Sequence, residues 1–453
     1  MEERSWRWLA NENSDSFFEF PVSSHIDTSR EVVVLKQFRR ILGCLIGLAL
    51  ALPGITTAQV KLVYTNNVSQ VTANVEQQLI EMFMAENPGI EVEYRNAPIS
   101  PEQLVLWNVG GTGPDVFMVH SHTVSELVDL DLLAPLTEHA LRDDELSIDD
   151  IFPEAVEEFS HNGVLFGIPY EYHLVAALYY NANAFAESGL APPPAEWPWT
   201  QFLHDATKLK RFDGNEVSRW PIYTYHPLNF VHSWGGALVD DWQNPTDTRI
   251  DSPESIAGYE AYVDLVTLEY SPHTANYTEG FLSGNLAMVI SGLWGSYSFV
   301  GADFAWDVTL PPLGDGPSGG RGYEFVSRAM AMNPNTKHPE EAYKLLKFLA
   351  YDERALTTRA LSIASQGVQG DMPARISVAR GEAFLSNALG PKGKLLMLNV
   401  ADDVYRMPRH PEARTIFSLA NQVAGRAING EPVSNVAISV ADQIRGILSQ
   451  SQE

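Results

Sequence analysis

An α/β fold divided between two domains is predicted by three features of this sequence. At 453 residues the chain is too long for one compact core. Patterns alternate strand, helix, strand, helix, strand between residues 60 and 119, an order that argues for a sheet with crossover helices. A second sheet is expected to begin around Val175–Tyr180.

The elements follow from local chemistry. Val60 to Tyr64 alternates as a strand and ends in the polar loop Thr65-Asn66-Asn67. Val75, Leu79, Met82 and Phe83 fall at helical spacing over 72–86, and Asn87-Pro88-Gly89 stops that helix. Ile90, Val92 and Tyr94 alternate again. Pro101 opens a helix that Gly110-Gly111 closes, and Gly113-Pro114-Asp115 turns into the strand Val116–Val119. Trp107 lies on that helix with Leu104 and Val105 and reads as packing. Further on, helices are expected from Gln201, over 254–270, and from Pro339, where Glu340 and Glu341 suit the positive helix end. Leu286–Ile290 reads as a buried strand running into Gly292-Leu293-Trp294. The tail from Gly390 reads as mainly helical, with Leu395, Leu396, Leu398, Ile416, Leu419 and Val423.

Residues 36–58 have the form of an export signal. Lys36, Arg39 and Arg40 precede the apolar run Ile41–Leu52, which is broken by Pro53-Gly54 and followed by the small residues Thr56-Thr57-Ala58. That run is short of the ~20 apolar residues of a membrane span. Gln59 is the expected mature start. Residues 1–35 lie upstream of the signal and read as a non-native or misassigned extension, with initiation near Val32–Leu35. Cys44 is the single cysteine and precedes the apolar stretch, so it is poorly placed for lipid attachment.

The net charge of -27 disfavours phosphate backbones and anionic lipid as partners. Enzyme signatures are absent: there is no G-x-S-x-G elbow, no phosphate-binding G-x-x-x-x-G-K-[ST] loop and no H-E-x-x-H. His120-Ser121-His122 could present two imidazoles, a weak zinc signal taken alone, and no metal or cofactor is assigned. Carboxylates are abundant without one pair standing out as a glycosidase couple.

Four stretches, in order, resemble the extracellular solute-binding proteins of ABC importers, specifically the family 1 group of maltose-binding-protein-like sugar binders. They are Gly111-Thr112-Gly113-Pro114-Asp115-Val116; Ala177-Leu178-Tyr179-Tyr180-Asn181 with Phe185 and Glu187; Gly284-Asn285-Leu286-Ala287-Met288 leading to Gly292-Leu293-Trp294; and Asn333 through Leu349. Tyr172 departs from the pattern, standing where a small residue is usual. The resemblance implies a two-lobed α/β periplasmic binding protein fold with three hinge crossings and a ligand cleft between the lobes. Lobe one is expected to hold 60–171 plus 328–371, and lobe two 172–327 plus 372–453, with Gly167–Tyr172 (GIPYEY) as the first crossing.

The same resemblance supplies candidate ligand contacts. Trp294 matches the family's stacking indole, a flat surface suited to the apolar C–H face of a sugar ring. Asn67 follows the first strand, and His122 lies in the loop after the Pro-Asp strand. Glu171 and Tyr172 belong to the first crossing, where they either face the cleft or cover the hinge. Trp234 before Gly235-Gly236 could be a second stacking platform or core. Tyr323 falls at the second crossing, and Arg375 just after the third, where a salt bridge is its other reading. The implied function is capture of a mono- or oligosaccharide in the periplasm by a monomer that delivers it to ABC permease subunits. The alternatives are a secreted carbohydrate-active enzyme, or the same fold binding a polyol, glycerol phosphate or an iron complex.

Overall fold

The computed structural model describes residues 59–175, 177–316, 319–365, 372–385, 396 and 404–450. The signal sequence, the extension before it, Cys44, Leu395 and Leu398 lie outside these residues.

Nine of the described strands form the two larger sheets: β1 (Val60–Asn66), β2 (Ile90–Asn96), β3 (Val116–His120), β4 (Gly167–Leu174), β5 (Ala177–Asn181), β6 (Met288–Ser291), β7 (Trp306–Thr309), β8 (Tyr323–Met332) and β9 (Val404–Tyr405). In the larger sheet β1 lies between β2 and β3 and runs parallel to both, with Tyr64 opposite Tyr94 on one side and Val116 on the other. Parallel neighbours need crossovers, and the helices Gln70–Glu86 and Pro101–Gly110 supply them. Both have the chemistry of defined ends. Ser69 and Ser100 accept hydrogen bonds from the Thr72 and Gln103 amides, and Gly111 closes the second helix at φ 64°.

Asp115 explains why the Pro-Asp turn is placed there. Its carboxylate accepts from the Val63 amide at 2.8 Å and from the Thr336 hydroxyl at 2.6 Å, joining β1 to the turn before the helix Pro339–Tyr351. Ala342, Leu345, Leu346 and Leu349 on that helix are fully buried, as its apolar spacing predicts. Each buried leucine contributes about 1.5–3 kcal/mol.

The smaller sheet has β5 at its centre, antiparallel to β6 and β7. Helices Pro253–Thr267, Ala413–Ile428 and Val433–Gln450 share a second apolar core that includes Ile416, Val423, Val436 and Ile444. The two lobes are joined by β4, which leads into the second, and β8, which leads back. These strands pair antiparallel, Ser327 opposite Tyr172 and Arg328 opposite Glu171, with a bulge after Arg328.

One boundary differs from expectation. Met372–Leu385 packs with lobe one, not lobe two: Met372 O accepts from the Tyr172 amide, Ala374 O from the Phe152 amide, and the Arg375 guanidinium binds Asp150 at 2.7 Å. No described helix is long and apolar enough to cross a membrane.

A buried ion pair anchors β4 in lobe one. Arg359 donates to Glu76 at 2.7 and 3.2 Å, and its guanidinium lies 4.7 Å over the Tyr170 ring. Both side chains are almost fully buried. Arg359→Met strands the Glu76 charge, so chemical denaturation should show a loss of about 3–5 kcal/mol. Equal stability in variant and parent would contradict this anchoring role.

Candidate functional site

Strand geometry assigns the site its face. Successive side chains of β4 point to opposite sides. Glu171 and His173 point one way, here called the front, and Tyr170 and Tyr172 the other. Arg328 of β8 reaches the front, where its Nη1 donates to Glu171 Oε2 at 2.9 Å. His173 Nε2 lies 3.1 Å from the same oxygen. Burial opposes ionisation of Glu171, but Arg328 and His173 overcome it and pull its pKa to about 2. A fixed carboxylate thus sits on the floor, held by the Arg328 guanidinium and the His173 ring.

The wall from lobe two begins at Trp294, whose indole is half-buried and meets the His173 ring edge-on at 5.6 Å. The turn carrying it is held from below. The Tyr179 hydroxyl, rising from β5, lies 3.0 Å from Gly292 O, 2.9 Å from Leu293 O and 3.0 Å from Ser296 Oγ. Gly292 must lack a side chain, because a Cβ there would come 2.0 Å from the Trp294 ring. The glycine two residues before this half-buried indole therefore lets the ring lie against the backbone. Tyr225 extends this wall; its side chain is solvent-exposed, and its hydroxyl oxygen accepts from the Trp294 indole N–H and lies 3.5 Å from Ser291 Oγ. Beside it, His226 Nδ1 is 3.3 Å from Glu324 Oε2.

Lobe one provides the facing rim. A cavity of about 120 Å³ is lined there by Asn67, Ser100, His120, His122 and Thr123, and is completed by Arg414 from the lobe-two helix Ala413–Ile428. His120 stands opposite Arg328 in the β3–β8 register and stacks on His122 at 5.0 Å. Burial, reinforced by Arg328, pushes the His120 pKa down to about 3, and burial lowers that of His122 too, so both rings are neutral at pH 7. Arg414 pairs with Glu126 at 2.8 Å. The charges are matched: each arginine has its own carboxylate. Chemically, the arrangement offers an aromatic plate, a polar floor and neutral imidazoles, with no excess of cations.

A model of the bacterial extracellular solute-binding protein family matches residues 64–354. The chain belongs to that family. A maltotriose-binding protein of Pyrococcus abyssi is 25% identical to this solute-binding protein over 312 residues, covering 67% of this chain and 65% of that relative, slightly less than two thirds of its length. The sugar-binding protein MalE of Xanthomonas citri superposes with a TM-score of 0.73 at 20% identity, over 87% of this chain and 98% of its own. An ABC substrate-binding protein of Listeria monocytogenes in complex with cycloalternan gives a TM-score of 0.72 at 18% identity, over 86% and 99% of the two chains. The two superpositions establish the two-lobed fold.

Of the residues predicted from sequence, the solute-binding protein brings four to the front. Trp294 and Glu171 meet through His173, while Asn67 and His122 share the rim cavity. Four others lie elsewhere. Tyr172 points backward, buried between Phe152 at 4.4 Å and Phe325 at 4.9 Å, so it covers the hinge. Trp234 is buried core against Trp199 and Phe230, and cannot be an exposed platform. Tyr323 is buried in the same neighbourhood, where both rings border a void of about 20 Å³. Arg375 is used by Asp150, the Tyr351 carbonyl at 3.0 Å and the Tyr351 ring at 4.2 Å.

Sequence reasoning missed His173, Tyr225, His226, Glu324, Arg328 and Arg414. His173 was available from strand alternation, being two residues from Glu171. Arg328 depends on the β4–β8 register, and Tyr225 arrives from a loop with no pattern of its own.

The depressed pKa of Glu171 has a defined consequence for stability. Its stabilising contribution is complete above the ordinary value of 4.5 and is lost as pH falls toward about 2. Thermal unfolding of Glu171→Gln should therefore decline less steeply than the parent's across that window. Parallel slopes would show that the carboxylate is not held by Arg328 and His173 as described.

Proposed function

We propose that this protein captures a neutral mono- or oligosaccharide between its lobes, without chemical conversion, and presents it to the permease of an ABC importer. The observation that carries this reading is the half-exposed Trp294 indole facing the His173–Glu171–Arg328 floor. A pyranose has an apolar C–H face and a hydroxyl rim. The indole covers the first, and the carboxylate, imidazoles and Tyr225 hydroxyl take the second. The maltotriose- and cycloalternan-associated relatives point to the same ligand class.

Neutral ligand follows from the charge pairing. A phosphate needs unspent cations, whereas Arg328 and Arg414 are bound to Glu171 and Glu126. This weighs against glycerol phosphate. Binding rather than hydrolysis is supported by Glu171, which Arg328 and His173 hold ionised and so unsuited to donate a proton. The protein acts as an exported monomer, released from its signal before Gln59.

A thermal-shift panel of neutral sugars, including maltotriose, with glycerol phosphate alongside, tests the ligand class. A sugar at 100 times its dissociation constant should stabilise by ~2.7 kcal/mol. Stabilisation by glycerol phosphate alone would reject the neutral-sugar reading. Trp294→Ala removes roughly 2 kcal/mol of ring contact, so calorimetric titration should show affinity about 30-fold weaker. Unchanged affinity would take Trp294 out of the site.

A further inference from the structure

The cavity at the lobe-one rim is layered. Its floor is apolar. Leu104 of the helix Pro101–Gly110, Met118 and Val119 of β3, and Leu127 are all buried there, with Ile99 partly buried beside them. Its mouth is polar, and Asn67, Ser100, His120, His122 and Thr123 each keep some exposure to solvent. The mouth hydroxyls already have local work. Ser100 Oγ accepts from the Gln103 amide at 3.2 Å, and the Thr123 hydroxyl donates to the His120 carbonyl at 2.9 Å. His120 Nδ1 differs: it is buried and has no hydrogen-bond partner among the described residues. Both imidazoles are neutral, and Glu126 offsets the Arg414 charge.

A bare pyranose does not suit this layering. Hydroxyls surround its rim, and one lowered onto the apolar floor would give up water for no partner. The methyl of a deoxy sugar would suit the floor but leave the His120 nitrogen unmatched. A free amino sugar would bring a cation toward Arg414. An acetamido group matches the layers in order. Its N–H and C=O lie next to the sugar ring, level with the mouth, and its methyl lies beyond them. A neutral imidazole nitrogen is either a donor or a bare lone pair, according to tautomer. An amide offers the complement to either. The volume of about 120 Å³ is several times what one water needs and admits a group of this size.

We propose that the rim cavity is a subsite for the N-acetyl group of an acetamido sugar, so that the ligand is an N-acetylhexosamine or an oligosaccharide containing one. This rests on the reading that a neutral sugar binds between the lobes. Leu104, Met118, Leu127 and Ile99 receive the methyl, and His120 pairs with the amide. The subsite selects by polarity and shape without adding charge to the ligand.

Calorimetric titration of the mature chain against matched sugars tests this. The pairs are N-acetylglucosamine with glucose, N-acetylgalactosamine with galactose, and chitobiose with cellobiose, with maltotriose alongside. In at least one pair the acetamido sugar should bind about 10-fold tighter than its partner, and tighter than maltotriose. Ile99→Phe fills the cavity from a part-exposed position and should bring that ratio to within about 2-fold of unity. Both sugars of a pair meet the same protein, so a general weakening of the variant cannot imitate a changed ratio. Equal or tighter binding of the plain sugar in every pair would overturn the subsite and leave sugar capture standing. A ratio that survives Ile99→Phe in the folded variant would overturn the cavity as its source. If that variant does not fold, the parent's pairs decide by themselves. If no sugar of the panel binds the parent, sugar capture itself fails and the subsite falls with it.

Discussion

The antiparallel pairing of β4 with β8 is the constraint on which the rest of this molecule depends. It joins the lobes, and it separates two environments one residue apart. On the front, Glu171 meets Arg328 and His173; on the back, Tyr172 is sealed between Phe152 and Phe325. The bulge after Arg328 sits where the strand passes from the hinge into the lobe-one sheet. Bulges re-aim side chains, and this one occurs beside the residue that closes the charge network. A shift of register by one residue would exchange carboxylate for phenol throughout the cleft floor.

The handling of charge is consistent across the molecule. The chain carries far more acid than base, yet three arginines in and around the hinge are each spent on a particular carboxylate. Arg359 takes Glu76 under β4, Arg328 takes Glu171 in front, and Arg406 takes Glu157 behind. A buried charge without a partner costs several kcal/mol, so scarce cations go where a carboxylate must be held. The excess acid remains at the surface, where water solvates it. The cleft is consequently polar without being strongly charged, which suits a ligand made of hydroxyls and C–H faces.

How much was legible in the sequence varied with the range of the interaction. Elements whose ends are built from neighbouring residues were clear: Ser100-Pro101 to Gly111, or Pro339 onward, needs no distant partner to start or stop. The family-like turn at Gly292-Leu293-Trp294 was clear for the same reason. Trp234 and Tyr323 look like Trp294 on paper, as aromatics beside glycine. Only the packing of Trp199, Phe230 and the neighbouring strands places the first two inside a lobe. Arg375 was misplaced because the segment containing it stays with lobe one, a fact recorded in its bonds to Asp150 and Tyr351.

By itself the sequence determined the alternation of strands and helices, the local caps, the Pro-Asp junction and the indole on its glycine-flanked turn. These are short-range matters of propensity, hydrogen-bond geometry and steric room. Tertiary structure alone decided which residues meet at and across the hinge: Arg328 with Glu171, His173 with Trp294, and Arg406 with Glu157. The reason is that these contacts join segments up to about 250 residues apart. Register and lobe packing set such distances, and no local pattern encodes them.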